Sequence, residues 1–240
     1  MNLIRFVLLA AVSTFASATW SCELPLPFEY VFQNNVTSSL AGTSCALTVS
    51  TTATSRTTAA AFFHYRRPSP LTSVRYGFRL DSSALSTGLS NQQVRLFSAT
   101  SPIVALSPPT SDLLAVELRL GTPSSLLFAA ADASSGTTFA SVALSGSVNT
   151  VRVEINTGAT GNVKYWINHA FTDPPDGVIE TTPGSGLDNA ALQGVIGAEI
   201  GLSNPTKNYR ALHSGEALVF DQIESSDDIV FDDDFSSGAQ

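Results

Sequence analysis

Charged side chains recur on one side of several predicted strands, where they could bind a polar ligand. In the run Val151–Ile155 the apolar residues alternate with Arg152 and Glu154, and the same alternation occurs in earlier strands. Guanidinium and carboxylate groups hydrogen-bond sugar hydroxyls, and an indole stacks on the C–H face of a sugar ring. The candidate ligand-binding residues occupy the polar positions of this alternation. They are Trp166, Arg75, Arg79, Arg95, Arg119, Arg152, Glu117 and Glu154, with Lys164 beside them.

These residues have two interpretations. If their strands are neighbours in one sheet, they form a charged surface with an aromatic platform. Such a surface suits carbohydrate, and an excess of arginine suits an anionic polysaccharide best. Alternatively the face is merely solvated, its cross-strand Arg–Glu pairs are worth less than about 1 kcal/mol each, and Trp166 is a core residue under a covering loop.

Sequence signatures of hydrolytic catalysis are missing. Retaining glycosidases need two carboxylates about 5–5.5 Å apart, which a strand provides at alternate positions. The nearest string is Asp221-Gln222-Ile223-Glu224, whose two carboxylates we expect on opposite faces of a strand. The nucleophile elbow Gly-x-Ser-x-Gly is absent as well. The sequence therefore favours a protein that is not an enzyme.

A polysaccharide lyase would need a base, a tyrosine and a side chain that neutralises a carboxylate. The required types occur in His64, Tyr65, Arg66, Gln92 and Gln93. Nothing in their spacing brings them together. The other two histidines, His169 and His213, lack the paired spacing of a zinc site, so we interpret all three as surface or hydrogen-bonded residues.

Acidic residues are concentrated at the C-terminus. The chain has 12 Lys and Arg against 20 Asp and Glu, and from Glu216 onward there are eight acidic residues and no basic one. Without a basic block, binding to nucleic acid is excluded. Asp227, Asp228 and Asp232 offer oxygen ligands for a structural calcium ion. No Asp-x-Asp-x-Asp-Gly loop fixes their geometry, so a solvated tail that aids solubility is favoured.

The first 18 residues are typical of a signal peptide. Met1–Arg5 is positively charged, Phe6–Val12 is apolar, and Ala16-Ser17-Ala18 is a small-residue cleavage site. The alternative is a buried first strand or helix. No later stretch reaches the length of about 20 apolar residues that spans a bilayer. These features predict a secreted or periplasmic protein.

Export would give the two cysteines a structural role. Cys22 and Cys45 are the only pair, and an oxidising compartment favours a disulfide between them. The bridge would close a loop of about 24 residues and contribute roughly 3 kcal/mol. Two free buried thiols are the alternative. Asn35, in the sequon Asn35-Val36-Thr37, is an acceptor only if the source glycosylates exported proteins.

Hydrophobic alternation with period 2 predicts about a dozen short antiparallel strands separated by turn residues. Helical periodicity is nearly absent, with at most one turn at 188–192. The pattern predicts an all-β sandwich or jelly roll over residues 19–225, between a signal peptide (1–18) and an acidic C-terminal tail (226–240). The predicted strands are 28–32, 45–51, 60–65, 74–80, 94–97, 114–120, 126–130, 139–144, 148–155, 163–167, 195–202 and 217–223.

Four motifs in the last hundred residues occur in a specific order. They are Val151–Ile155, Val163–Asn168 with its tryptophan, Val195–Leu202 and Leu218–Ser225. In this order they resemble the concanavalin A-like (laminin-G-like) jelly-roll domains of exported bacterial proteins. The resemblance implies a two-sheet antiparallel sandwich. One departure is the hairpin tip, Asn168-His169 instead of Asp-Gly or Asn-Gly, which predicts a longer turn and a protruding His169.

That fold serves lectins, glycanases, polysaccharide lyases and adhesive modules, so it does not define a function. We favour a secreted, non-catalytic module that binds carbohydrate or a cell-surface polymer through one charged sheet face. A structural or adhesive envelope protein without a defined ligand is the second hypothesis. A polysaccharide lyase or glycanase with an atypical site is the third.

Overall fold

A computed structural model describes residues 28–33, 36–41, 46–52, 54–55, 58, 60–86, 92–105, 110–132, 136–182 and 184–225. The segments predicted as signal peptide and acidic tail lie outside these residues. So do the predicted disulfide, sequon and calcium ligands, namely Cys22, Cys45, Asn35, Asp227, Asp228 and Asp232. These remain predictions.

Strands dominate the described residues, and they form two antiparallel sheets of seven strands each. Sheet A contains, in spatial order, β1 (Phe28–Gln33), β4 (Ala60–Leu71), β13 (Val195–Ser203), β6 (Gln92–Ala105), β7 (Thr110–Leu120), β8 (Ser125–Asp132) and β9 (Gly136–Ala143). Sheet B contains β12 (Gly177–Ile179), β11 (Asn162–Ile167), β10 (Val148–Asn156), β5 (Ser73–Asp81), β14 (Ala217–Ser225), β3 (Ala46–Thr51) and β2 (Val36–Ala41).

The core lies between the two sheets and consists of the apolar side chains that alternate with polar ones along the strands. In β5 the inward residues Tyr76, Phe78 and Leu80 are fully buried. Phe78 stacks on Phe97 of sheet A with ring centroids 6.4 Å apart. Burying each such side chain contributes about 1.5–3 kcal/mol to stability. Because only one side of each sheet faces the core, apolar residues occupy every second position of a strand.

Strands that are distant in sequence pair at the centre of both sheets. In sheet A, β4 pairs with β13, and in sheet B, β5 pairs with β14. Each sheet therefore combines strands from both halves of the chain. This arrangement is the predicted two-sheet sandwich, and all twelve predicted strands coincide with observed ones.

Three short elements were not predicted from the sequence. β2 is rich in Ser and Thr, and β12 has only three residues, so neither shows a hydrophobic period. Helix α1 (Lys207–Leu212) buries one residue, Tyr209, and its Thr206 cap accepts the Tyr209 N–H at 3.3 Å. The turn at 188–192 contains a 3-10 helix at Ala190–Leu192. No helix in the described ranges has the length and apolarity needed to span a membrane.

Candidate functional site

The outward side of sheet B carries most of the predicted binding residues. Directly opposed residues of antiparallel strands point to the same side of a sheet, so the register arranges these side chains in three rows across β11, β10, β5 and β14. We call this surface the charged face. Its residues are Arg75, Arg79, Arg152, Glu154, Lys164, Asp221 and Glu224, and the register also places Trp166 on this side, opposite Arg152.

The first row places a recessed carboxylate between two cations. Glu154 accepts hydrogen bonds from Arg75 Nε at 2.7 Å, from Lys164 Nζ at 2.8 Å and from Asn156 Nδ2 at 3.1 Å. Burial alone would raise the pKa of Glu154, but the hydrogen bonds from Lys164, Asn156 and Arg75 outweigh it and hold the pKa at about 2. Glu154 is therefore a fixed anion that orients both cations.

The second row contains a two-point ion pair. Arg152 donates to Glu224 from Nε at 2.8 Å and from Nη2 at 2.7 Å. Between them, on β5, lies Gly77, where a Cβ atom would approach Glu224 Oε2 to 2.7 Å and Arg152 Cγ to 3.1 Å. The missing side chain at Gly77 thus provides the space in which the pair forms.

The third row is the pair of Arg79 and Asp221, whose Nη1 and Oδ2 atoms are 2.6 Å apart. Burial raises the pKa of Asp221 more than the neighbouring Arg79 lowers it. The prediction that Asp221 and Glu224 point to opposite faces is wrong. The register shifts between them at a bulge, where Gln222 has a φ of 48°, and both carboxylates emerge on the charged face.

Trp166 lies beneath a loop and not at the surface. Its side chain is buried, its Nε1 donates to the carbonyl of Asp173 at 2.8 Å, and the Phe171 ring stands edge-on to it at 5.1 Å. The structure thus gives Trp166 the alternative role that the sequence left open, a core residue under a covering loop.

The covering loop between β11 and β12 is tied down by its own polar groups. Asp176 Oδ2 accepts the Ile167 N–H at 2.6 Å, and Asp173 Oδ2 accepts the Ala170 N–H at 2.9 Å. Asn168 has a φ of 63°, and His169 is about half exposed, with 54% of its side chain accessible. The predicted longer turn and protruding His169 are therefore confirmed.

Phe171, which sequence reasoning missed, adds an aromatic ring beside the charged face. The Arg75 guanidinium lies 5.2 Å from its ring centroid and that of Arg152 lies 5.9 Å away. Both distances are within the range of cation–π attraction. Phe171 lies in a loop, so the alternation of apolar and polar residues along strands could not have indicated it.

Arg95, Glu117 and Arg119 lie on the other side of the sandwich. They belong to β6 and β7 and so to sheet A, where Arg95 pairs with Asp112 at 2.5 Å and approaches Glu117 at 3.9 Å. The structure therefore does not bring them together with the charged face. The alternation along a strand shows which side of its own sheet a residue occupies, but it does not show to which of the two sheets the strand belongs.

A second acidic group shares this outer side of sheet A. Glu199 on β13 accepts a hydrogen bond from Ser98 Oγ at 3.2 Å. Burial raises the pKa of Glu199, and the Ser98 hydrogen bond and the nearby His64 offset part of this shift. No sequence motif had indicated Glu199 or Asp112.

Two of the candidate lyase residues, Tyr65 and Gln92, are buried, so the five do not assemble on one surface. His64 faces outward beside Glu199, whereas Tyr65 is buried in the core on the opposite side of the same strand. Gln92 is buried and its Oε1 contacts His213 Nε2, while His213 Nδ1 lies 2.6 Å from Glu216 Oε2. His213 is thus a buried, hydrogen-bonded histidine. Within the described ranges no group of three or more metal-binding side chains occurs.

Comparison with solved structures shows where this architecture occurs. The bifunctional GH43-CE protein of Bacteroides eggerthii matches with a TM-score of 0.52 and 14% identity, over 86% of this chain and 24% of that one. A family 18 polysaccharide lyase, aly-SJ02, matches with a TM-score of 0.50 and 9% identity, over 83% of this chain and 93% of that one. An alginate lyase from Alteromonas sp. 272 matches with a TM-score of 0.48 and 8% identity, over 83% and 93%.

These likenesses concern the fold alone, because every identity is far below 25%. The chain also spans only 24% of the GH43-CE protein. No protein-family model matches the sequence, and a search of curated proteins finds no match. The strand order and the architecture shared with the first two structures confirm the predicted two-sheet antiparallel jelly-roll sandwich.

Proposed function

We propose that this protein is a secreted, non-catalytic module that binds an anionic polysaccharide through the charged face of sheet B. The observation that carries the proposal is that the cations of the first and third rows protrude further than the carboxylates that orient them. A passing polymer would therefore meet positive charge first.

Side-chain exposure shows this layering. Arg75 and Lys164 expose 49% and 35% of their side chains, against 9% for the Glu154 between them. Arg79 exposes 33%, against 19% for its partner Asp221. In the second row the two partners are nearly level, with 19% for Arg152 and 24% for Glu224. The carboxylates hold the cations in place from below, which reduces the side-chain entropy that binding would otherwise cost.

Apolar surface lies beside these cations. Phe171 is partly exposed next to Arg75, and Val178 of β12 lies opposite Lys164 with 46% of its surface exposed. A uronate sugar has a carboxylate on one edge and a C–H face, so it matches both features. Charge-assisted hydrogen bonds from Arg75 and Lys164 would hold the carboxylate, and Phe171 would contact the ring.

The charged face itself speaks against catalysis. Its three carboxylates, Glu154, Asp221 and Glu224, are each paired with an arginine at 2.6–2.8 Å. Glu154, whose pKa is about 2, is a poor base at neutral pH, and no histidine side chain of the described residues lies in the three rows. The shared fold with a polysaccharide lyase supports a glycan partner by analogy only.

Affinity electrophoresis of the full chain tests this function. Alginate and polygalacturonate in the gel should retard the protein, a neutral dextran should not, and added salt should weaken the effect. Arg75→Gln and Lys164→Gln keep a hydrogen-bond donor near Glu154 but remove the charge. Together they should lower affinity about tenfold or more.

Lys207→Gln is the matched control, because Lys207 is an exposed lysine on α1, away from the face. It should bind as the parent protein does. Equal mobility in all gels, or retardation unchanged in the double variant, would overturn the proposal. Release of unsaturated uronate products during the assay would contradict its non-catalytic part.

A further inference from the structure

The edge strand β9 has the features of an unprotected pairing site. It is the last strand of sheet A, paired with β8 along all eight residues without a register shift. On its other side no described strand is hydrogen-bonded to it, although β12 at the edge of sheet B lies near it. Half of the backbone N–H and C=O groups of such a strand point outward and can pair with another strand.

Proteins usually block such edges with charge, proline, bulges or short length. Gly136–Ala143 contains no charged residue and no proline, and its ladder with β8 has no bulge. The other edges differ: β12 has three residues and β1 carries Glu29. β9 is also longer than β2, the remaining edge strand, which has six residues.

A large apolar side chain marks the same strand. Phe139 is 61% exposed, more than any other large hydrophobic residue in the described part of the chain. It points to the outer side of sheet A, opposite Ala129 of β8. Burial of an exposed phenylalanine favours association, and the outward backbone groups require that the partner be a β-strand.

We propose that β9 pairs antiparallel with β9 of a second copy, joining two A sheets into one continuous sheet across a two-fold axis. The lack of charge supports this occupant, because self-pairing then creates no like-charge contact. In a register centred on Ala140, Phe139 lies opposite Ser141 of the second copy. Both side chains remain on the outer side of the joined sheet.

This arrangement has a consequence that rests on the proposed function. A two-fold axis that relates antiparallel neighbours is perpendicular to the sheet, so both B sheets lie on the same side of the joined layer. Their charged faces then point in one direction. A dimer would engage two sites on one polymer, and such bivalency raises apparent affinity without any new contact.

Sedimentation velocity of the full chain tests the dimer directly. The parent protein should shift from monomer to dimer as its concentration rises from about 1 μM to about 100 μM. Phe139→Lys with Ser141→Lys places lysines opposite lysines and should weaken dimerisation at least tenfold. Ser145→Lys, an exposed position in the turn after β9, is the matched control and should dimerise normally.

A charge-swap experiment separates pairing from misfolding. The variant with lysine at both positions and the variant with glutamate at both should each be monomeric. Mixed in equal amounts, they should form a heterodimer, because each lysine now meets a glutamate. A parent protein that stays monomeric, a double-lysine variant that still dimerises, or a mixture without heterodimer would each overturn the proposal.

Polysaccharide binding is a separate readout. The monomeric variants should bind short uronate oligosaccharides like the parent but should be retained less on immobilised alginate. If neither form binds alginate while the dimer persists, the proposed function fails and the dimer stands.

Discussion

The Arg152 guanidinium and the Glu224 carboxylate form a two-point ion pair directly above Gly77, at 2.7 and 2.8 Å. Three strands meet in this contact, since Arg152 is on β10, Gly77 on β5 and Glu224 on β14. Because the central residue has no side chain, the pair bridges β10 and β14 across the intervening strand. The pair therefore links the two halves of the charged face.

We expect Gly77→Ala to uncouple this pair. A Cβ atom would displace the Glu224 carboxylate, which is the flexible end of its side chain, so overall stability should change little. The coupling energy from a double-mutant cycle of Arg152→Ala and Glu224→Ala should be about 1 kcal/mol in the parent. It should approach zero in the Gly77→Ala background. Gly146→Ala, where a Cβ meets nothing within 4 Å, should preserve the coupling.

We expect Trp166→Ala to act mainly on stability. The variant loses a buried indole and leaves the Asp173 carbonyl without its donor, at a cost of about 3–5 kcal/mol in the free energy of unfolding. Chemical denaturation measures this cost, and proteolysis within the covering loop should accelerate. Val178→Ala, at an exposed position, should change stability by less than about 0.5 kcal/mol. A Trp166→Ala protein of near-parental stability would contradict the buried role.

The stability of the fold should depend on Glu154 in acid. Its pKa of about 2 lies below the ordinary value of 4.5, so the ionised carboxylate stabilises the folded state above pH 4.5. That contribution is lost as the pH falls from 4.5 towards about 2. Glu154→Gln should lower the free energy of unfolding at neutral pH and flatten its decline over this range.

Glu117→Gln provides the comparison for that profile, because Glu117 Oε1 lies 3.9 Å from Arg95 Nη2, which is beyond hydrogen-bond distance. This variant should keep the parental decline in acid. Identical pH profiles for the Glu154 and Glu117 variants would show that the first row does not hold its carboxylate as the geometry indicates.

His213 and His169 should respond very differently to substitution. His213 is buried between Gln92 and Glu216. His213→Ala therefore removes the side-chain partner of Gln92 Oε1 and creates a cavity, while Glu216 keeps its hydrogen bonds from Ser86. We expect a loss of about 2–4 kcal/mol in the free energy of unfolding. His169→Ala, at a half-exposed position, should change it by less than about 0.5 kcal/mol. Comparable effects of the two variants would argue against the buried hydrogen bonds.

The predicted disulfide can be tested on protein from an oxidising compartment. Intact mass before and after alkylation should show no free thiol, and Cys45→Ser should lower stability by roughly 3 kcal/mol. Reductant should destabilise the parent protein and leave Cys45→Ser unchanged. Two alkylated thiols without prior reduction would favour the alternative of free cysteines.

Alternation by itself determined the strands and their buried sides. Val151–Ile155 shows its inward residues in sequence, because one side of each sheet faces the core and the other faces water. It also showed that Arg152, Glu154 and Arg75 point outward. Where this period fails, as in the Ser- and Thr-rich β2, the three-residue β12 and the loop that carries Phe171, the sequence offered no signal.

Only the tertiary structure decided which outward residues share a surface. Arg95 and Arg75 both occupy outward positions of their strands, yet they lie on opposite outer faces of the sandwich. The sheet to which a strand belongs depends on pairings such as β4 with β13, which join segments over a hundred residues apart. It also decided that Trp166 is covered, since this depends on where a loop folds. Local periodicity carries no information on such long-range contacts, which are set by packing of the two sheets together.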